Sequence, residues 1–341
     1  MEFAAFLARR LAWSVLVLVG LSIVIFTIAR VMPGDPARMA LGPRASVEQV
    51  EQLKSELGLD RPFVEQYLSY VSGLVRGDLG KSLLTRRSVS DDMRASFPAT
   101  LELVLVTILF AFAVGVPLGV IAANWKDRWP DNAVRGVAIF SAVMPAFFIA
   151  LLLQVLAGYV LQILPTTGRL PRGIDFTASP TGMLLVDSLV RGRPDVFLEA
   201  LRHLLLPALA LSLATMGQVA RITRASMIDV SRQDYIEAAR AFGIPERLRL
   251  FKYQLRPAFV PPLTIAGLEF ASLIGNAFVV ELIFSFDGMA AYGVRAIQQK
   301  DLNAIMGVVM VSGVFFVLVN LAIDLAVGLV DPRVRIRGAR A

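Results

Sequence analysis

The chain has 341 residues, of which 56% are hydrophobic and only 18% charged, and its mean hydropathy is +0.65. A water-soluble fold of this length has no interior large enough for so much apolar side chain, which excludes a purely soluble enzyme. The formal charge of +7 sits between apolar blocks, which marks membrane-flanking charge and not a nucleic-acid surface, and the absence of cysteine excludes disulfides and thiolate metal sites.

The first apolar block runs from Leu11 to Ala29 without a charge, between Arg9-Arg10 and Arg30. A signal-peptide core is only about 7–15 residues long, so residues 1–31 are expected to be an uncleaved N-terminal transmembrane helix. Further blocks at about 101–123, 136–164, 204–227, 260–284 and 304–330 predict an all-α membrane protein with about six transmembrane helices. Pro117, Pro145 and Pro207 fall in or beside these blocks, where neighbouring helices can satisfy the freed carbonyls.

Six crossings put both termini on one side. The segments on that side hold 17 Lys and Arg in 70 residues, against 16 in 127 opposite. Both termini are therefore expected to be cytoplasmic, with residues 331–341 as a cytoplasmic tail. Residues 32–96 are then a small extracytoplasmic helical segment after the first span. Ser46-Val47-Glu48-Gln49 reads as a capping box, followed by Val50, Leu53 and Leu57 at helical spacing up to Gly58. A second helix is predicted from Pro62 to Gly77, with Phe63, Tyr67, Val71 and Leu74 on one face. The segment 161–202 opens with turn-rich Leu164–Gly168 and predicts a short helix near 181–190. His203, with no second ligand nearby, reads as a helix-end residue and not as a metal ligand.

No catalytic set and no metal site emerge from the sequence. Gly80-Lys81-Ser82 imitates the end of a phosphate-binding loop, but that pattern needs glycine at position 75, where Val75 stands. ATP hydrolysis would have to come from another polypeptide. Acidic residues in or near spans are the next candidates, because an ionisable group in a span is costly and by default marks a pathway or polar contact. Glu269 and Asn276, one heptad apart, are possible pathway-lining residues. Asp324, four residues after Asn320, reads as a structural contact, Glu281 as a hydrated residue near the outer interface, and Glu102 stands at the start of its block. A stand-alone ion-coupled secondary transporter would use such groups, but its usual inverted repeats are not evident.

The segment 228–258 is the most informative on the cytoplasmic side. Ser231-Arg232-Gln233-Asp234 is expected to start a helix, with Ser231 as its cap and Asp234 complementing its positive end, then Tyr235, Ala238, Ala239 and Phe242 at helical spacing and Gly243 in the left-handed region ending it. Pro245 opens a second helix with Leu248, Phe251 and Leu255 on one face. The product is a short, stiff surface helix. A partner-docking element and an amphipathic helix resting on lipid headgroups fit these residues equally well.

Glu237-Ala238-Ala239, with Gly243 six residues after the glutamate, resembles the EAA loop of binding-protein-dependent importer permeases. Pro33-Gly34-Asp35-Pro36-Ala37, Leu57-Gly58-Leu59-Asp60-Arg61-Pro62, Arg76-Gly77-Asp78-Leu79-Gly80 and Pro98–Glu102 are similar to the dipeptide/oligopeptide/nickel permease family, B-type subunit. So are His203–Pro207, Arg224–Met227, Arg232–Tyr235, Val280–Phe284 and Asp331-Pro332-Arg333. Leu255-Arg256-Pro257 departs from the pattern: one residue is interposed, and Pro257 stands at an Asn-like position, leaving the end of the second loop helix open.

The resemblance implies a type I ABC importer permease fold, with residues 97–330 as the transmembrane core and 228–258 as its ATPase-coupling loop. It implies a bacterial inner-membrane subunit forming half of a translocation pathway for di- or oligopeptides, with nickel, glutathione or haem as alternatives. The implied partners are a C-type second permease subunit, two ATPase subunits that bind ATP and Mg, an extracytoplasmic substrate-binding protein and membrane lipid, with no cofactor on this chain. Asp234, Tyr235, Glu237, Ala238, Ala239, Phe242 and Gly243 would form the docking element, with Glu237 orienting it and both alanines allowing close seating.

Overall fold

The computed structural model describes residues 2–31, 36–41, 45–56, 58–83, 85–177 and 180–330, and it is all-α among them apart from one isolated bridge between Lys81 and Ser88. Pro33–Asp35, the Asp331-Pro332-Arg333 motif and the tail 331–341 lie outside the described residues, as does the side chain of Asp324. The helices in order are α1 (Glu2–Val31), α2 (Pro36–Leu41), α3 (Val47–Glu56), α4 (Phe63–Val75), α5 (Val89–Asn124), α6 (Trp129–Val143), α7 (Ala146–Leu153) and α8 (Leu184–Val190). They continue with α9 (Pro194–Ser231), α10 (Asp234–Ala241), α11 (Glu246–Leu248), α12 (Arg256–Ala258), α13 (Val260–Ile283), α14 (Met289–Gln298) and α15 (Leu302–Val330). Among the described residues, four helices are long and apolar enough to cross a membrane, and the number rises to six if two bent pairs each count as one crossing.

The expected span at 136–164 is not a straight rod. α6 and α7, the latter prolonged by a π-helical stretch Gln154–Val160, meet at 104°. The cause is Pro145, whose ring disfavours helical geometry in the residue before it, and Met144 is extended at φ −77°, ψ 123°. α13 is bent by 53° between Phe270 and Ser272. α9 starts ten residues before the apolar block that announced it, because Pro194 suits a first turn and Asp195 complements the positive helix end.

The chain divides into two compact units, Met1–Ala99 with Asp287–Ala341, and Thr100–Phe286. In the first, α1 packs along α15 closely enough that a Cβ on Gly313 would meet the Leu21 side chain. Ile25, Phe26, Ala29, Leu302, Met306 and Met310 form the core, with Tyr67, Tyr70 and Leu74 of α4 against it. The predicted capping box is formed: Gln49 N donates to Ser46 Oγ at 3.2 Å, and Ser46 N donates to Gln49 Oε1 at 3.0 Å. α4 presents Phe63, Tyr67 and Tyr70 to Phe26, with ring centroids 5.3–5.4 Å apart.

In the second unit α9 is the central post, with α6, α7, α8 and α13 packed around it. Small residues set the approach. A Cβ at Gly119 of α5 would lie 2.6 Å from the Ala220 carbonyl of α9, and one at Gly115 would lie 2.8 Å from the Met216 carbonyl. This glycine pair, four residues apart, brings two backbones together as membrane helices do where lipid offers no hydrophobic drive. On another face of α9, a Cβ at Gly217 would lie 3.0 Å from Ala138 Cα of α6.

Candidate functional site

The segment 228–258 leaves α9 at Ser231 and returns to the membrane core through α12. Ser231 does not cap the next helix. It is the last residue of α9, and its hydroxyl donates to Ile228 O at 2.7 Å, while extended Gln233 precedes α10. α9 runs on because nothing before Arg232 interrupts its hydrogen bonds.

α10 ends in a Schellman motif. Gly243 N donates to Arg240 O and Ile244 N to Ala239 O, each at 3.0 Å, with Gly243 at φ +71°. A β-carbon at that dihedral costs about 1–2 kcal/mol, which is why glycine stands there. Residues 249–255 then form a π-helical turn. Pro257 has no N–H to return to the Tyr253 carbonyl four residues back, and the Tyr235 hydroxyl donates to that oxygen at 3.4 Å. The Tyr235 hydroxyl thus ties both legs of the loop together.

The side chains of α10 divide cleanly. Ile236 and Ala239 point into the chain, at 1% and 5% exposure, whereas Asp234, Tyr235, Glu237, Ala238 and Arg240 face out. The two alanines therefore do different things, since only Ala238 is on the outer surface. Phe242 stands at the turn with 85% exposure. Among the described residues, no hydrogen bond or ion pair holds the Glu237 carboxylate, which is exposed.

Two contacts moor the loop. Leu250 and Leu255 pack with Val230 onto a cluster of Val120 from α5, Met227 from α9 and Ala258. Two turns before the end of α9, Arg224 grips Asp131 of α6 in a bidentate pair, Nε to Oδ1 at 2.5 Å and Nη2 to Oδ2 at 2.6 Å. Asp131 is fully buried and also accepts from Asp127 N at 2.8 Å, so most of its lone pairs are satisfied.

The opposite end of this unit carries a second polar lattice. Glu102 accepts from Arg169 Nη2 at 2.7 Å and from Leu185 N at 2.6 Å, and Arg169 lies over the Phe286 ring at 5.5 Å. Glu281 is not hydrated as expected: it is fully buried and accepts from Thr100 Oγ1 at 2.6 Å. Gln154 Nε2 bridges Thr166 O and Ile283 O at 3.1 and 3.0 Å. Glu269 is half-buried, 3.5 Å from Thr215 Oγ1, and Asn276 is exposed. The bend in α13 falls between those two and breaks the heptad register that would have placed them on one straight face. Asp131–Arg224 and Glu102–Arg169 escaped the sequence because each joins distant segments. The one local sign was a charge at the edge of an apolar block.

Comparison with known families places this geometry. Residues 115–336 match the model described as binding-protein-dependent transport system inner membrane component, and residues 3–104 match its N-terminal companion. The chain is 42% identical over 334 residues to the probable D,D-dipeptide transport system permease protein DdpB of Escherichia coli K12, covering 98% of each. It is 36% identical to the dipeptide transport system permease protein DppB of Alkalihalophilus pseudofirmus, covering 97% of this chain and 99% of that one. The glutathione transport system permease protein GsiC of Escherichia coli is 32% identical, over 97% of this chain and 98% of its own. With a family model covering well over half of its length, this multi-pass chain belongs to the inner-membrane permease components of binding-protein-dependent ABC transport systems.

Proposed function

We propose that the chain is one permease half of an ATP-driven peptide importer, and that the loop at 228–258 is where it meets its motor. The observation that carries this reading is a short helix locked by a Schellman turn, moored at its base, with Phe242, Tyr235, Ala238 and Glu237 turned outward. A bare phenyl beside a small residue and a carboxylate suits a partner's groove better than water. Peptide as substrate is supported by the D,D-dipeptide and dipeptide relatives. A second reading, glutathione import, is favoured by the 32% identical relative of that description.

In this proposal a second permease subunit completes the pathway. Two ATPase subunits holding ATP and Mg bind at the loop, and a binding protein delivers substrate on the other face. Both termini are cytoplasmic, residues 32–96 form the extracytoplasmic segment, and 97–330 form the transport core with six crossings. When nucleotide draws the ATPases together, α10 is pushed as a rigid body. Leu250, Leu255 and the Asp131–Arg224 pair pass that displacement to α5, α6 and α9. The shift between two packed states then exchanges access from one side to the other. Glu269 and Asn276 are the pathway-lining candidates on α13.

Reconstitution with cognate ATPases and binding protein tests this. Peptide-loaded binding protein is expected to raise ATP hydrolysis and drive uptake. Glu237→Lys with Gly243→Asp should abolish both, with membrane insertion unchanged. A fully stable, active complex in that double variant contradicts the loop assignment, and uptake by this chain with no ATPase present supports an ion-coupled carrier instead.

A further inference from the structure

Arg30, the last charged residue of α1, lines a cavity of about 270 Å3 together with Arg61, Gln66, Ser69, Tyr70 and Asn303. Pockets that enclose whole small molecules run to roughly 300–1,000 Å3, so this one fits a polar group and not an entire substrate. Three buried side-chain atoms without a hydrogen-bond partner among the described residues belong to its walls: Arg30 Nε, Tyr70 OH and Gln66 Oε1. Orphaned buried polar atoms are rare, and three around one cavity mean that the described chain alone does not complete it.

The chemistry of the orphans is specific. Gln66 Nε2 donates to Leu59 O at 3.1 Å and Arg61 O at 2.8 Å, which fixes the amide and leaves its oxygen as a free acceptor. The Arg30 guanidinium lies 5.2 Å over the Phe26 ring, with no ion pair among the described residues. Burial pushes the Tyr70 phenol up, so it stays protonated and able to donate at neutral pH. Asp78, the acidic residue in the lining, is already engaged by Gly80 N at 2.9 Å. A guanidinium and a phenol hold an oxyanion. The amide oxygen beside them calls for a hydroxyl or ammonium donor attached to it.

α1 is long and apolar enough to cross a membrane, so Arg30 at its end sits at headgroup level whichever way the chain is oriented. Exposed Val64, Leu68 and Val75 on α4 put apolar surface on the same helix as Gln66 and Tyr70. We propose that this cavity is a phosphate site for a glycerophospholipid headgroup, with Arg30 and Tyr70 on the phosphate and Gln66 on the headgroup's hydroxyl or ammonium. The site is independent of the transport reading.

The full-length chain in detergent, titrated with phosphatidylglycerol, inorganic phosphate or diacylglycerol of the same chains, tests this through the thermal midpoint and bound lipid by native mass spectrometry. Phosphatidylglycerol is expected to raise the midpoint and remain bound, and diacylglycerol to do neither. Arg30→Gln and Tyr70→Phe should each weaken that binding about tenfold, the worth of one charge-assisted hydrogen bond. If Arg30→Gln does not fold, Tyr70→Phe, which deletes a single oxygen, carries the test. Inorganic phosphate acting alone with the same sensitivity to both variants assigns the oxyanion site to a free anion and overturns the lipid. Equal binding by wild type and variants, or none by wild type, overturns the site altogether.

Discussion

Arg224 and Asp131 show how far a single buried pair can govern the loop. Removing one partner leaves a buried charge without its counter-ion, which costs about 3–5 kcal/mol, whereas replacing both by apolar residues of similar size is often neutral. Asp131→Asn or Arg224→Met is therefore expected to lower the thermal midpoint sharply, and the double variant Asp131→Leu with Arg224→Met to recover much of it. Non-recovery in the double variant shows that the pair does more than neutralise itself. Tyr292 offers a pH test. Its hydroxyl donates to Asp92 Oδ2 at 3.1 Å, and burial first, then the Asp92 charge, raise the phenol above its ordinary value. The unfolded chain therefore loses this proton first. The stability it contributes is complete below about pH 10 and drains away as the pH climbs beyond. Denaturation curves at pH 8 and 11 should lie closer together for Tyr292→Phe than for wild type.

At the scale of elements, the contact between α5 and α9 rests on Gly115 and Gly119. Gly119→Leu has nowhere to place its side chain except into the Ala220 carbonyl and Thr223, so the helices must part. The expected result is a loss of folded yield on gel filtration, with Gly136→Leu, whose Cβ meets nothing within 4 Å, as the tolerated control. The elements themselves were legible in proportion to how local their causes are. The capping box at Ser46, the left-handed Gly243 and the lengths of the apolar blocks depend on neighbours in sequence, and each was visible there. The bend after α6 was not, because a proline in an apolar block is compatible with either a kinked span or a broken one. Helical spacing placed Ala239 on the loop helix but does not say which face the chain covers itself, and Ala239 is only 5% exposed. Glu102, Arg169, Asp131 and Arg224 found their partners across 67 and 93 positions, a distance at which local pattern carries no information.

For the molecule as a whole, the proposal is mechanical: a stiff turn outside the membrane is joined through half-buried leucines and one ion pair to the helices proposed to form a pathway. A turn that bends does not transmit. Gly243→Val imposes the left-handed dihedral on a β-branched residue, and in the assembled transporter it is expected to lower substrate-stimulated ATP hydrolysis and uptake more than ATPase binding. Equal loss of all three places the defect in docking instead of coupling. Because the natural chain has no cysteine, one introduced thiol reports one position without background. The most direct measurement is therefore crosslinking from Phe242→Cys in the purified, intact complex. The account expects a crosslinked product between this chain and an ATPase subunit. A complex that assembles, hydrolyses ATP and yields ATPase crosslinks from other cytoplasmic positions, but never from 242, would contradict it.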